Sequence, residues 1–475
     1  MLRSSQPPSP VIDENAPVTL TIDKRLNPTS IGNAGSGKAD PNVSGHRLEG
    51  ATFTGKFLNV TAVETKKLGE LNAGNYAKLG ATETATTVSG KTDTTGQLKF
   101  DSNTSNLKQG FWLFTETIDG EVKDVETGKT YRSSDVAPST PFIVSLPYTN
   151  ADGNGWNYDV TVQPKNNASG ITKKVEDADK NVGDTIKYIV SGDVPTIPKG
   201  ETLQRFSITD TLDTENLEEI KAEVALSNGT PLAENEDYTL TINQDSGEVA
   251  LNITNLEKFS RLAAGTTVDL TITAKVKALE GTDGIAVNKA KQFVRYPKQD
   301  KDTETESNEV KSYWGQVKVV KTEEGSNTAL KGAEFELYRC KGTETQADQL
   351  DNKISIGNTS KWTTNDEGNV VIDGIHVTDI ENHSDAITKH YCLVEIKAPR
   401  GFVATKEVHS FQLTSNKDNL PPKTPVQYEA QITNKRSDMP QLPLTGGMGI
   451  GILGTLAVLV AGGALWFARR ANKES

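Results

Sequence analysis

In stretch after stretch of this 475-residue chain, apolar side chains fall on every second residue. Val18-Thr-Leu-Thr-Ile-Asp23, Tyr158-Asp-Val-Thr-Val-Gln163, Thr267-Val-Asp-Leu-Thr-Ile-Thr-Ala274, Val317-Lys-Val-Val320 and Tyr428-Glu-Ala-Gln-Ile432 carry the pattern. A strand turns successive side chains to opposite faces, whereas a helix repeats every 3.6 residues. These stretches therefore read as half-buried strands, with Gly, Asn and Asp turns between them. Helical periodicity is weak and short outside one C-terminal run, so the predicted fold class is all-β. Aromatics are 6% and hydrophobics 35% of the chain. That suits small two-sheet domains with polar outer faces, and the length predicts about three of them.

The C-terminal run, Met448 to Ala468, is uncharged and followed by Arg469-Arg470. At about 20 residues it reaches across a bilayer core as a transmembrane helix. The basic residues at its end place that end in the cytoplasm and everything before it outside. Export calls for a signal peptide, yet residues 1–17 hold no apolar core for one; either the true start lies upstream or the numbering omits the leader. Formal net charge is −12, with acidic residues spread along the chain. Such a surface stays soluble and does not suit nucleic acid.

Composition divides the chain further. Residues 1–17 are Pro- and Ser-rich and read as a flexible segment. A first domain is expected over 18–167 and a second over 168–298. The polar, acidic stretch 299–312 reads as a linker unable to build a core. A third domain follows over 313–437, and 438–475 holds the C-terminal signal, helix and basic tail. Leu48-Glu-Gly-Ala-Thr-Phe53 and Leu330-Lys-Gly-Ala-Glu-Phe335 share a pattern, so the first and third domains are expected to be related.

The two cysteines, Cys340 and Cys392, either pair or stand as unrelated buried thiols. In an exported chain pairing is the expectation, and it would stabilise by about 4 kcal/mol in the chain-entropy account. No cofactor or metal site is predicted. Asn150-Ala-Asp-Gly-Asn-Gly155 begins like a calcium loop but has Thr161 where a bidentate Glu belongs. The histidines His46, His376, His383, His390 and His409 have no zinc spacing. No nucleophile elbow, phosphate loop or dinucleotide fingerprint is visible.

Immediately before the apolar run stand Leu442, Pro443, Leu444, Thr445 and Gly446. This LPxTG pentapeptide, apolar run and basic tail together resemble the cell-wall sorting signal of Gram-positive surface proteins. The resemblance implies cleavage between Thr445 and Gly446 by a sortase, which passes the Thr carbonyl to an amine. Trp156-Asn-Tyr-Asp-Val-Thr-Val-Gln-Pro-Lys-Asn166 resembles the pilin motif W-x-x-x-V-x-V-Y-P-K-N of shaft pilins, with Gln163 where that motif has Tyr. Lys165 would then be the sortase acceptor. An amine attacks only in its neutral form, which partial burial favours.

Tyr391-Cys-Leu-Val-Glu-Ile-Lys-Ala-Pro-Arg-Gly-Phe402 resembles the E-box of Cna-B-type domains. In that family a Glu promotes an isopeptide bond between a first-strand Lys and a last-strand Asn; here these are Glu395, Lys321 and Asn434. The chemistry is coherent on its own terms. Two separate charges in an apolar core are costly. Burial therefore moves the proton to the carboxyl, leaves a nucleophilic amine, and lets the acid polarise the Asn carbonyl. Lys318 falls on the other face by parity. In the middle domain Lys173, Asp210 and Asn288 match the stations of a Cna-A-type domain, with Lys174 facing away. Lys24, Glu116 and Asn166 are a third candidate set. Carrying the resemblance through, the fold is three tandem Ig-like sandwiches of Cna-B, Cna-A and Cna-B type.

The resemblance implies a major shaft subunit of a covalent, wall-anchored pilus at the cell surface, passing through a membrane-anchored precursor. Its implied partners are a pilin-specific and a housekeeping sortase, identical subunits joined head to tail, minor tip or base pilins, and peptidoglycan. It implies no enzyme beyond self-cross-linking. A monomeric wall-anchored adhesin with an idle Lys165 is the rival reading.

Overall fold

The computed structural model describes residues 11–33, 35–150, 155–377, 390–414 and 423–438. Strands and turns make up nearly all of them, as the alternating pattern predicts. The α-helix Leu256–Phe259 is a single turn. No helix among the described residues is long and apolar enough to cross a membrane. The Leu442–Gly446 pentapeptide and the apolar run after it lie outside the described residues.

The chain forms two compact units. The first comprises the described residues of Met1–Gln316, Asp373–Thr388 and Leu413–Val426; the second comprises those of Val317–Ile372, Lys389–Gln412 and Gln427–Ser475.

The first unit holds two cores in sequence. In the earlier one, Thr19–Asp23 lies between Asp159–Val162, which runs parallel to it, and Gln97–Asp101, which runs antiparallel. Its period-two pattern sends Leu20 and Ile22 inward, where they join Phe53, Trp112, Phe114 and Val160. Both chains then continue side by side: Lys165–Ala168 pairs in parallel with Arg25–Leu26. The inner partner of these strands is a four-stranded sheet containing Thr52–Asn59 and Gly110–Thr117.

The later core is a sandwich. Ile171–Glu176, Thr185–Asp193, Thr267–Val276 and Leu217–Leu226 form one sheet; Tyr238–Ile242, Glu248–Ile253, Arg205–Thr211, Ala290–Arg295 and Thr303–Glu306 form the other. Ile186, Tyr188 and Leu270 from the first sheet meet Ile208, Leu251 and Val294 from the second in one apolar cluster. Each such side chain, fully buried, contributes about 1.5–3 kcal/mol.

The second unit contains a sheet built on Glu334–Cys340 and His390–Lys397, antiparallel neighbours. Beside them in sequence, the strand Val310–Glu323 supplies Val317 and Val319 as fully buried residues and pairs with Val426–Asn434. Cys340 lies opposite His390 and Cys392 opposite Tyr338, so the two cysteines stand diagonally across neighbouring strands; they form a disulfide, with Cα atoms 5.9 Å apart. That spacing is ordinary for the bond, and the alternative of two unrelated thiols falls away.

Three expected boundaries need correction. The acidic run at 299–312 is not a bare linker: Thr303–Glu306 is an edge strand on Ala290–Arg295. Its Thr-Glu alternation puts Thr305 inside, and Glu304 and Glu306 outside against Lys291. Val310 and Trp314 belong to the middle core, so that core runs past residue 298. Residues 374–377, expected in the third domain, join the first unit because their backbones bond to Val182, Asn181 and Tyr313. Finally, residues 11–17 are tied down: Gln109 Nε2 donates to the carbonyls of Asp13 and Ala16, and Asp13 N donates to the Tyr158 hydroxyl.

Candidate functional site

Among the described residues three lysines have side chains sealed from solvent, and each touches a carboxylate. Lys24 follows directly on the strand Thr19–Asp23, and its amine donates to Asn166 Oδ1 at 2.5 Å and Glu116 Oε2 at 3.0 Å. The Asn166 amide donates to Glu116 Oε1 at 2.7 Å, closing a ring of three side chains. Glu116 also accepts from the backbone N–H and hydroxyl of Ser139, at 2.8 and 2.6 Å. Burial lowers the Lys24 pKa to about 8 against the opposing pull of Glu116. Desolvation thus outweighs a direct charge partner, which is how an amine becomes a nucleophile near neutral pH.

The second unit repeats this geometry. Lys321 hydrogen-bonds Asn434 Oδ1 and lies 3.3 Å from Glu395 Oε1, and the Asn434 amide donates to that same oxygen at 2.9 Å. The other carboxylate oxygen is fixed by the Thr405 backbone N–H at 2.9 Å. Burial lowers the Lys321 pKa, with Glu395 opposing. Lys318 sits on the outer face and bonds Glu429. Asn434 ends its strand, and Lys321 lies near the end of its own, so the pair joins strands 113 residues apart in sequence.

In the middle core the strand Ile171–Glu176 alternates strictly, Lys173 inward and Lys174 outward. Lys173 hydrogen-bonds Asp210, lies 4.7 Å from the Tyr188 ring centre, and has its pKa lowered by burial against Asp210. Asn288 is buried, and both polar atoms of its side chain lack a hydrogen-bond partner, as does Asp210 Oδ1. Asp210 is in register with Ala290, two residues beyond Asn288. Lysine and acid meet here, and neither hydrogen-bonds the amide.

Lys165 occupies different surroundings. Period two sends Asn166 into the core at 1% exposure and leaves its neighbour Lys165 half-buried on the opposite face. Lys165 lines a groove of about 480 Å³ with Gly37, Asp40, Tyr148, Val162 and Pro164 among its walls. Its amine donates to the Gln163 carbonyl at 3.1 Å. Burial lowers its pKa, Asp40 opposes that, and Arg25 adds to it. Sequence reasoning named the three buried sets but missed Ser139, Thr405 and Asp40, which arrive from distant loops with no local signal.

Comparison with known proteins follows the same order along the chain. Residues 15–167 match the family described as Gram-positive pilin subunit D1, N-terminal domain. Residues 161–310 match the cell surface antigen I/II C2 terminal domain, and 315–424 the SpaA prealbumin-like fold domain. The fimbrial subunit type 1 of Actinomyces viscosus is 30% identical over 97% of this chain and 92% of its own length. The chain belongs to the fimbrial subunit family. A second member, fimbrial subunit type 2 of Actinomyces naeslundii, is 28% identical over 98% of this chain and 91% of its own. Among solved structures, the full-length major pilin SpaD of Corynebacterium diphtheriae is 31% identical. It covers 90% of this chain and 99% of its own, with a TM-score of 0.65. The tandem β-sandwich architecture is therefore a pilin architecture, and these relatives are structural proteins.

Proposed function

We propose that this fimbrial subunit is the repeating shaft unit of a covalently polymerised pilus anchored to the cell wall. A sortase would hold the chain as a thioester at Thr445, having released the segment from Gly446 onward. The neutral Lys165 amine of the next subunit attacks that thioester, forming a Thr–Lys amide and returning the sortase thiol. A pilin-specific sortase would repeat this step, and a housekeeping sortase would end it on peptidoglycan. Minor tip or base pilins would complete the assembly, and the precursor would wait in the membrane on its C-terminal helix.

Within each subunit, the buried sets would close as isopeptide bonds. Lysine Nζ bonds the Asn side-chain carbonyl carbon, the carbon–Nδ2 bond breaks, and ammonia leaves with protons relayed by the acid. Glu116, Asp210 and Glu395 are the promoting acids for Lys24–Asn166, Lys173–Asn288 and Lys321–Asn434. The observation that carries this reading is the repeated ring of buried Lys, Glu and Asn, with the amine on the amide oxygen and the amide nitrogen on the acid. Beside the first ring, and one residue along, stands the accessible Lys165.

Replacing Lys165 with Ala tests the intermolecular step. Surface extracts should lose a detergent-resistant ladder and keep a single species. A ladder that persists in K165A refutes the acceptor assignment. Intact mass tests the internal bonds separately, since each removes one ammonia.

A further inference from the structure

The residue that departs from the pilin motif, Gln163, ties two separate parts of the chain together beside the acceptor. Its Oε1 accepts from the Asp40 backbone N–H at 2.8 Å, and its Nε2 donates to Asp23 Oδ2 at 3.0 Å. Those partners fix the carboxamide uniquely, because a backbone N–H requires the oxygen and a carboxylate requires the nitrogen. Asp23 is itself buried and held by Arg25 and Arg47, so the inner end of this connection is rigid. Its outer end is residues 35–42, which form one wall of the groove.

That segment has few other ties to the acceptor strand. The Gly37 carbonyl accepts from Thr161 N and Asn157 Nδ2, and the Gly35 carbonyl accepts from the Tyr148 hydroxyl. Gly37 has φ +76, and a Cβ there would stand 2.9 Å from the Tyr148 ring. Asp40 organises the segment from within by accepting from the Asn33 and Asn42 backbone N–H groups. The Gln163 carbonyl, meanwhile, is the acceptor for the Lys165 amine. One residue therefore grips the wall of the groove with its side chain and the nucleophile with its main chain.

We infer that Gln163 is a positioning residue for transfer onto Lys165: its carboxamide latches residues 35–42 against the acceptor strand, and the latched wall holds the amine in the groove. This rests on Lys165 being the acceptor. The charged groups facing that amine are Asp40 from the wall, Arg25 from the neighbouring strand, and Lys24 beneath. Releasing the wall removes both burial and Asp40, and burial is the larger influence, so an unlatched Lys165 holds its proton more tightly.

The test uses the full chain and a small acetylating ester, with acetylation of Lys165 followed by peptide mass spectrometry against the exposed Lys174 across a pH series. Q163L, which keeps the size and loses both bonds, should raise the pH of half-maximal acetylation of Lys165 by about half to one unit, leaving Lys174 unmoved. Hydrogen exchange at the Asp40 backbone N–H, the group that Gln163 Oε1 holds, should speed up in Q163L. Transfer of an LPLTG peptide by the sortase should fall about tenfold in kcat/KM for Q163L, the loss of two hydrogen bonds. An unshifted midpoint in Q163L, or unchanged exchange at the Asp40 N–H, overturns the latch. A ladder persisting in K165A refutes the acceptor reading instead, and the acetylation midpoint still judges the latch.

Discussion

The ring around Lys321 and the set around Lys173 contain the same kinds of groups in different arrangements. In the first, Glu395 reaches both the amine and the amide. In the second, Asp210 reaches only the amine, and the Asn288 amide is buried without a partner. Aspartate is one methylene shorter than glutamate, so bridging two partners requires closer strands. The lesson is that burial lowers the lysine pKa in both places, whereas only the longer acid also hydrogen-bonds the amide. The Lys24 ring, built on Glu116, follows the first arrangement.

The contrast can be broken at its acids. E395A should cause the largest loss. It forfeits a closure over about 100 residues, about 5 kcal/mol, and leaves Lys321 as a buried charge without its partner, about 3–5 kcal/mol more. Denaturant unfolding of the second unit measures this, and mass spectrometry should show one ammonia retained. D210N keeps its shape and should cost about 5 kcal/mol by losing the middle closure. If D210N still sheds ammonia between Lys173 and Asn288, the acid is not the promoter there.

Titration sharpens the comparison at the first ring. Lys24 has a folded pKa of about 8, below the ordinary 10.5. Without the bond, the unfolded chain therefore binds more protons between those values, and folding stability rises with pH across that window. An N166L chain, unable to close this bond, should gain a few degrees in Tm between about pH 8 and pH 10. The parent chain, its amine consumed, should not show that gain. The smallest effect belongs to K318A, which removes a solvent-facing pair with Glu429. It should change stability by less than about 0.5 kcal/mol and leave the ammonia count unchanged.

Much of this was legible because period two is a local property. Alternation alone separates Lys173 from Lys174, and Asn166 from Lys165. The acidic run at 303–306 reads as a linker by charge alone, although Thr-Glu-Thr-Glu is itself a strand pattern with one face turned inward. The Gln163 connection could not be read at all. Its partners, Asp40 and Asp23, lie more than a hundred residues away, and only the fold brings them together.

One feature of the first core bears on survival outside the cell. Lys24 and Asn166 bracket nearly the whole of that core, 142 residues apart. Were they joined by the amide proposed above, the stretch between them would be a closed circle. A protease that cuts a single exposed loop, such as the one carrying Thr65–Glu70, would open the circle without freeing the N-terminal piece, which the amide would still hold to Asn166. Such a nick would show on a gel only after the amide itself was broken.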